Sequence, residues 1–433
     1  MTYPETLEYL YQRLPMFSRV GSSAIRKGLK NITALCEALG NPQEGLRCIH
    51  VAGTNGKGSV SHMLAAVLQS AGYRTGLYTS PHLSDFRERI RVDGGMVEES
   101  FVTSFTERTK PLVEEIAPSF YEITVAMAFE YFREKRVDVA VIETGLGGRL
   151  DSTNIVDPDV AVITNIGWDH MQILGDTLIE IAVEKAGIVK SGVPVVVGEW
   201  DVETAAVFEK TSEARGAPLR FADRVREAVD ARERFPHLEV TVKSDGVGAA
   251  STYLLELPGL YQQRNLLTVL ATLDVLRERG WRIGEEAVQE GLRHTRRLTG
   301  LQGRWETLRT GPRVVLDVAH NEPGMRQVLL QLARTPHERL RIVIGMVRDK
   351  DVGSVLSLLP RDAEYFFTCA DVPRALPAEE LAAKAAEAGL SGSVHPDVNA
   401  ALRSALDASD PDDLVLVCGS VFLVGEVDRR MEG

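Results

Sequence analysis

Residues 48–72 restrict the fold of this chain more than any other stretch. Cys48-Ile49-His50-Val51-Ala52 is an apolar run of strand length, and Gly53-Thr54-Asn55-Gly56-Lys57-Gly58-Ser59 follows it directly. Val60, Met63, Leu64, Val67 and Leu68 then recur at the spacing of one helix face, which Gly72 stops. Strand, glycine loop and helix stand in the order a phosphate site needs. Glycines let backbone N–H groups approach phosphate oxygens, a helix N-terminus adds a positive field, and Lys57 supplies a mobile cation. The loop departs from the pattern G-x-x-x-x-G-K-[ST]: Val51 occupies the place of the first glycine, and Gly58 separates Lys57 from Ser59. The competing reading is a glycine turn beside a surface lysine, and the flanking strand and helix weigh against it.

The rest of the chain extends this α/β texture. The first 45 or so residues read as helices, closed by a turn at Asn41-Pro42. Leu77–Ser80 ends a second strand, 119–134 reads as an amphipathic helix, and Val137–Ile142, Val160–Ile163 and Val193–Val197 are further apolar runs. Continuous apolar strands separated by helices suit a parallel sheet covered on both faces. Residues 235–257 alternate instead and contain Gly246 and Gly248, as a β-hairpin would. A helix over 262–278 follows, and the texture breaks at Thr299-Gly300-Leu301-Gln302-Gly303. Beyond the break, short apolar strands recur at Val314–Leu316, Ile342–Ile344, Tyr365–Phe367 and Leu414–Val417. The expected architecture is a P-loop-type, mostly parallel sheet domain with a small β element over residues 1–298. A smaller, Rossmann-like α/β domain over 299–433 completes it.

Polar clusters sit where these strands end, which is where open α/β sheets bind ligands. Glu143 follows a buried strand and heads Glu143-Thr144-Gly145-Leu146-Gly147-Gly148-Arg149. A carboxylate there can hold Mg²⁺ beside phosphates, or simply be solvated. Asn165-Ile166-Gly167-Trp168-Asp169-His170 ends another strand. In the helix after Asp176, the face at 178, 181, 182, 185, 186 and 189 reads Leu, Ile, Ala, Lys, Ala, Val. Lys185 is its one polar member, and a lysine buried there has a lowered pKa. Its neutral amine can take up CO2 as a carbamate and become an anionic oxygen ligand. Alternatively it pairs with Glu184 or snorkels outward. Asp317-Val318-Ala319-His320-Asn321, with Gly303-Arg304 upstream, forms a similar cluster in the second domain.

Composition bounds the partners. The 433 residues are 44% hydrophobic and carry a net charge of −12 with no basic run, which argues against nucleic acid. Cys36, Cys48, Cys369 and Cys418 show neither CxxC nor zinc spacing, as expected of reduced thiols in a cytoplasmic protein. The start, MTYPETLEYL, lacks the pattern of a secretory leader, and no apolar run has the length of a membrane span.

Read together, these blocks resemble the folylpolyglutamate synthase and dihydrofolate synthase family of the Mur ligase superfamily. The likeness rests on His50–Ser59, on Thr79-Ser80-Pro81-His82-Leu83 with Glu88-Arg89-Ile90, and on Glu143–Asn154. It continues through Asn165–Lys190, Gln262–Asn265, Gly303-Arg304, Asp317–Asn321, Asp349-Lys350-Asp351 and Cys418-Gly419-Ser420, in family order along nearly the whole chain. The resemblance implies an ATP-dependent ligase that joins L-glutamate to a reduced folate or to 7,8-dihydropteroate through an acyl phosphate. It implies that Gly53, Thr54, Asn55, Gly56, Lys57, Gly58 and Ser59 cradle ATP, with Asn265, Arg304 and Asp317 as further contacts and His320 near the terminal phosphate. Ser80, Glu143, His170 and a carbamylated Lys185 would ligate magnesium, with Lys57, Lys185 and His320 as the catalytic set. Gly28, Leu29 and Lys30, Tyr121, Glu122, Ile123 and Thr124, and Asp151 and Ser152 match the pterin-side pocket. Two departures stand out. Leu301-Gln302 replaces a common Trp-Pro, with Trp305 following, and Ser152 stands where some bifunctional members carry Ala.

Other readings divide on residues. A peptidoglycan-precursor ligase of the same superfamily has a nucleotide-sugar domain ahead of the loop, where this sequence has about 50 residues. A P-loop kinase or ATPase does not account for Gly58 or for the Arg304, Asp317 and His320 set. A non-catalytic nucleotide-binding module does not account for so many polar strand ends. The resemblance further implies a monomer, and the split ATP-type residues suggest closure at a hinge near residue 300.

Overall fold

The computed structural model describes residues 1–15, 28–244 and 247–431. The chain divides into two compact units. One comprises Met1–Glu256 with Tyr261–Leu301, and the other Leu257–Leu260 with Gln302–Gly433.

The first unit is built on an eight-stranded sheet. Its order is Gly95–Met96, Ile90–Val92, Thr75–Tyr78, Val139–Glu143, Cys48–Ala52, Val160–Ile163, Val195–Val197 and Leu219–Phe221. The pairings from Thr75–Tyr78 onward are parallel, and the two short strands at the other edge are antiparallel. Cys48–Ala52 lies at the centre and is wholly buried, as a strand covered on both faces must be. Parallel register brings the ends of Cys48–Ala52, Thr75–Tyr78, Val139–Glu143 and Val160–Ile163 to one edge. The polar clusters meet there.

Two helices are more enclosed than their sequence pattern implies. The helix Lys57–Ser70 shows one apolar face, yet every residue from Ser59 to Leu68 is buried. The sheet covers one side, and the helices Gln262–Glu278, Glu285–Arg293 and Thr295–Thr299 cover the rest. The helix Phe120–Lys135, read from sequence as amphipathic, is buried from Glu122 through Phe132. Its residues share a core with Tyr78, Ala140 and Ile142 of the sheet and with Phe101, Val102 and Phe105 of the outer helix Glu99–Ile116.

The alternating stretch forms more than a hairpin. Arg226–Arg234, His237–Ser244 and Val247–Leu255 make a three-stranded antiparallel sheet. Its first strand reads REAVDARER, too charged to stand out as a strand, because little of it is buried. Gly246 lies outside the described residues.

The second unit carries a six-stranded sheet in the order Glu306–Thr310, Arg313–Leu316, Leu414–Cys418, Leu340–Ile344, Glu364–Phe367 and Gly392–Val394. All pairings are parallel except the first hairpin. Glu306–Thr310 and Gly392–Val394 are edge strands that the apolar pattern did not reveal. The fully buried Trp305 anchors the core on one side of this sheet. That places the aromatic residue of the 301–305 turn in the interior despite the departure at Leu301-Gln302.

Close helix packing in the first unit gives a test. A Cβ on Gly291 would come within 2.6 Å of the Val67 backbone on the loop helix. Overpacking costs about 1–3 kcal/mol, whereas Gly→Ala inside a helix gains about 0.5–1 kcal/mol. Backbone cannot swing aside, so the clash wins. Gly291→Ala is expected to lose about 1–2 kcal/mol in urea unfolding, with a matching fall in melting temperature.

Candidate active site

The site of the first unit begins where Cys48–Ala52 gives way to the loop. Gly56 adopts φ +82°, and a Cβ there would lie 2.3 Å from Asn265 Oδ1. Both the left-handed backbone and the close approach require glycine. Asn265 is fixed in turn, donating from Nδ2 to Gln262 Oε1 at 2.8 Å, while Gln262 Nε2 donates to Ser59 Oγ at 3.1 Å. The sequence block Gln262–Asn265 is therefore the brace of the loop's helical end.

The other side of the loop leans on the segment after Val160–Ile163. Thr54 N donates to Asn165 O, and Asn55 N to Asn165 Oδ1, each at 3.0 Å. Thr54 Oγ1 donates to Gly167 O at 3.1 Å and accepts from Gly167 N at 3.0 Å. Thr164 Oγ1 donates to Asn55 O at 2.5 Å. Thr164 and Asn165 act as supports, a role that only their position at a strand end could have suggested. Lys57 Nζ donates to the carbonyls of Gly53 and Thr54, both at 3.0 Å. The cation thus lies folded over the loop.

Lys185 lies beneath it. The helix Leu178–Ala186 starts with a capping box between Thr177 and Glu180 and turns Ile181, Ala182, Lys185 and Ala186 inward. Lys185 is 3% exposed, and its Nζ donates to Gly53 O at 2.7 Å. It neither snorkels nor pairs with Glu184, whose carboxylate instead takes Arg149 at 2.7 Å. Burial first, and the nearby Lys57 charge second, pull the Lys185 amine down to about 7. A large neutral fraction near pH 7 follows.

Glu143 ends its strand 4% exposed, and its Oε2 accepts from Ser80 N at 3.2 Å. The backbone of Ser80 thus meets the Glu143 carboxylate at the sheet edge. His170 has a left-handed backbone, φ +51°, and its Nε2 is 3.8 Å from Asp169 Oδ2. Among the described residues no group of three or more His, Cys, Asp or Glu side chains forms a cation cage. The hard oxygen set at Glu143 and Ser80 fits Mg²⁺, which binds through one or two protein oxygens and keeps water and phosphate as its other ligands.

Of the residues expected at the pterin-side pocket, Ile123 and Thr124 are fully enclosed. Glu122 caps its own helix, accepting from Ser119 N and Oγ. Tyr121 alone of 121–124 retains partial exposure. It packs on Gly145 and donates to Asp151 Oδ1 at 3.1 Å. Asp151 is buried and Ser152 half-buried at the start of a short 3-10 turn. Leu29 packs against the same core as Tyr121, with Gly28 at φ +102° before it and Lys30 opening the next helix.

In the second unit, Asp317 ends Arg313–Leu316. Its two oxygens accept from Trp305 N and Ala319 N, each at 2.9 Å. Arg304 Nη1 donates to Gly303 O at 3.1 Å. His320 Nδ1 donates to Val318 O at 2.9 Å, a carbonyl being an acceptor only. Asp317, Arg304 and His320 thus share one turn system.

Comparison with known proteins agrees with this geometry. Residues 51–273 match the Mur ligase middle domain, and residues 303–421 match the Mur ligase glutamate ligase domain. A dihydrofolate synthase/folylpolyglutamate synthase of Bacillus subtilis is 34% identical, covering 94% of this chain and 96% of that one. A probable bifunctional folylpolyglutamate synthase/dihydropteroate synthase of Haloferax volcanii is 36% identical over 98% of this chain, which spans only 50% of that longer protein. A crystal structure of a Yersinia pestis bifunctional folylpolyglutamate synthase/dihydrofolate synthase, complexed with AMPPNP and Mn ion, superposes with a TM-score of 0.84. It is 32% identical and covers all of this chain and 98% of its own.

The buried amine predicts a pH effect on stability. Its folded pKa, about 7, lies below the ordinary 10.5, so the unfolded chain binds the extra proton between those values. Stability owed to Lys185 is therefore complete above 10.5 and is lost as pH falls toward 7. Wild type should gain urea resistance between pH 7 and pH 9 relative to Lys185→Met, which lacks the titrating group.

Proposed function

The chain belongs to the folylpolyglutamate synthase/dihydrofolate synthase family of the Mur ligases, and from that premise we propose that it joins L-glutamate to a folate-type carboxylate at the expense of ATP. The acceptors are a reduced folate and 7,8-dihydropteroate. The observation that carries this reading is the buried Lys185 amine under the phosphate loop, 2.7 Å from Gly53 O, at the sheet edge that also holds Glu143 and Ser80.

The chemistry explains the arrangement. A carboxylate is a poor acylating agent at neutral pH. Transfer of the γ-phosphoryl group to it forms an acyl phosphate and releases ADP. The glutamate amine then attacks the acyl carbon, a tetrahedral intermediate forms, and inorganic phosphate leaves as the amide forms. Phosphoryl transfer of this kind needs positioning and charge neutralisation more than covalent help. Loop amides and the N-terminus of Lys57–Ser70 hold phosphate oxygens, and Lys57 swings from the loop carbonyls to neutralise them. Asn265, Arg304 and Asp317 bind ATP, and His320 serves the terminal phosphate. Ser80, Glu143 and His170 hold magnesium, with Lys185 added as its carbamate. The ion supplies charge neutralisation to the transferring phosphoryl group. Lys185 suits that role because a depressed amine reacts with CO2, and the resulting anion offsets the positive charge otherwise buried beside Lys57.

Phosphate release from Mg-ATP and L-glutamate should rise with dihydropteroate or a reduced folate. Stimulation by a muramoyl nucleotide alone would instead make this a peptidoglycan-type ligase. Lys185→Ala should lose at least about a hundredfold in kcat, as removal of one transition-state electrostatic group does. Short carboxylic acids should restore part of it by standing in for the carbamate. Full activity of the unsupplemented variant would remove Lys185 from the metal site.

A further inference from the structure

Asp151 is the most heavily donated carboxylate at the sheet edge. Oδ2 accepts from Gly145 N at 2.9 Å and Leu146 N at 2.8 Å. Oδ1 accepts from Thr153 N at 3.0 Å, from Thr153 Oγ1 at 2.6 Å and from Tyr121 Oη at 3.1 Å. Burial pushes the Asp151 carboxyl above its ordinary range, and the donors Thr153, Leu146 and Tyr121 oppose that rise. Two oxygens offer about four lone-pair sites. Five donors converge on them.

The Thr153 hydroxyl has one proton, and the carboxylate takes it. Its oxygen is then an acceptor, and His50 Nε2 stands 2.8 Å away. His50 must therefore carry its proton on Nε2. The other nitrogen, Nδ1, is a buried acceptor without a partner, which is cheaper than a buried donor without one. Full burial pulls the imidazole down to about 3, so the ring is neutral at any working pH. His50 sits in the strand Cys48–Ala52, three residues before the phosphate loop. Donation runs in one direction, from His50 to Thr153 to Asp151, and Asp151 in turn holds the Tyr121 phenol and the 145–146 amides.

We propose that His50 and Thr153 are positioning residues for the folate-type substrate, acting through Asp151 to set the Tyr121 phenol and the Gly145-Leu146 backbone at the acceptor pocket. This rests on the function proposed above. It makes Asp151 a hub that shapes the pocket. Two buried side chains that touch no substrate then govern how the acceptor, and not the nucleotide, is held. Tyr121 is constrained on both sides, by its bond to Asp151 and by contact with Gly145, where a Cβ would come within 2.6 Å of the ring.

The test compares wild type with Thr153→Val, which keeps the shape and deletes the hydroxyl, and with Thr153→Ser, which restores it. Initial rates are measured against varied dihydropteroate, reduced folate and ATP, with melting temperature recorded for each protein. Thr153→Val should raise KM for the folate-type substrate about tenfold and leave KM for ATP within about twofold, one tenfold step being about 1.4 kcal/mol. Thr153→Ser should return the folate KM to within about twofold of wild type. A purely structural role would lower the melting temperature and leave both KM values in place, or move them equally, and either result overturns the proposal. Should Thr153→Val fail to fold, Tyr121→Phe probes the other end of the relay, and an unchanged folate KM there overturns it as well. Wild-type protein inactive with every folate-type acceptor sinks the functional reading and this proposal together. An active wild type with indifferent variants sinks this proposal alone.

Discussion

The loop at 53–56 is a stretch of largely enclosed backbone, buried at Gly53 and Thr54 and half-buried at Asn55 and Gly56, and the site depends on how its polar groups are served. Buried N–H and C=O groups need partners. Here Asn165 takes the amides of Thr54 and Asn55, Thr164 serves the Asn55 carbonyl, and Lys57 with Lys185 serves the Gly53 carbonyl. The supports come from the end of Val160–Ile163 and from the helices Lys57–Ser70 and Leu178–Ala186. The loop's shape is thus a property of the whole parallel sheet, and the glycine-rich heptapeptide alone could not hold it.

The same economy sets the electrostatics. Two lysines converge on one carbonyl, and the buried one bears the cost as a depressed pKa. An isolated buried cation is expensive, so such a group loses its proton or acquires an anion. The proposed ligase chemistry would give that pressure a use, because a carbamate on Lys185 would add negative charge where magnesium would bind. At Asp151 the buried carboxylate is served by neutral donors, through the one-way donation from His50 to Thr153 to Asp151.

Sequence alone fixed a good deal. Apolar runs located the central strands, and i, i+3, i+4 spacing turned Lys185 inward, because burial repeats with the backbone period. Chain order placed Glu143, Asn165–His170 and Asp317–Asn321 at strand ends. Burial of Trp305 was not legible, since a departure at Leu301-Gln302 left its turn undefined. Nor were the strands Arg226–Arg234, Glu306–Thr310 and Gly392–Val394, whose edge or surface positions leave little apolar signal.

Only the tertiary structure decided what each polar residue does with its atoms. Glu122 and Asp151 look alike in sequence as acidic residues of a pterin-side block. One caps its own helix, and the other gathers five donors from three segments. Periodicity reports which way a side chain faces, because that follows from local backbone geometry. Hydrogen-bond partners come from segments 103 residues apart for His50 and Thr153 and 203 for Ser59 and Gln262, and no local pattern encodes such a meeting.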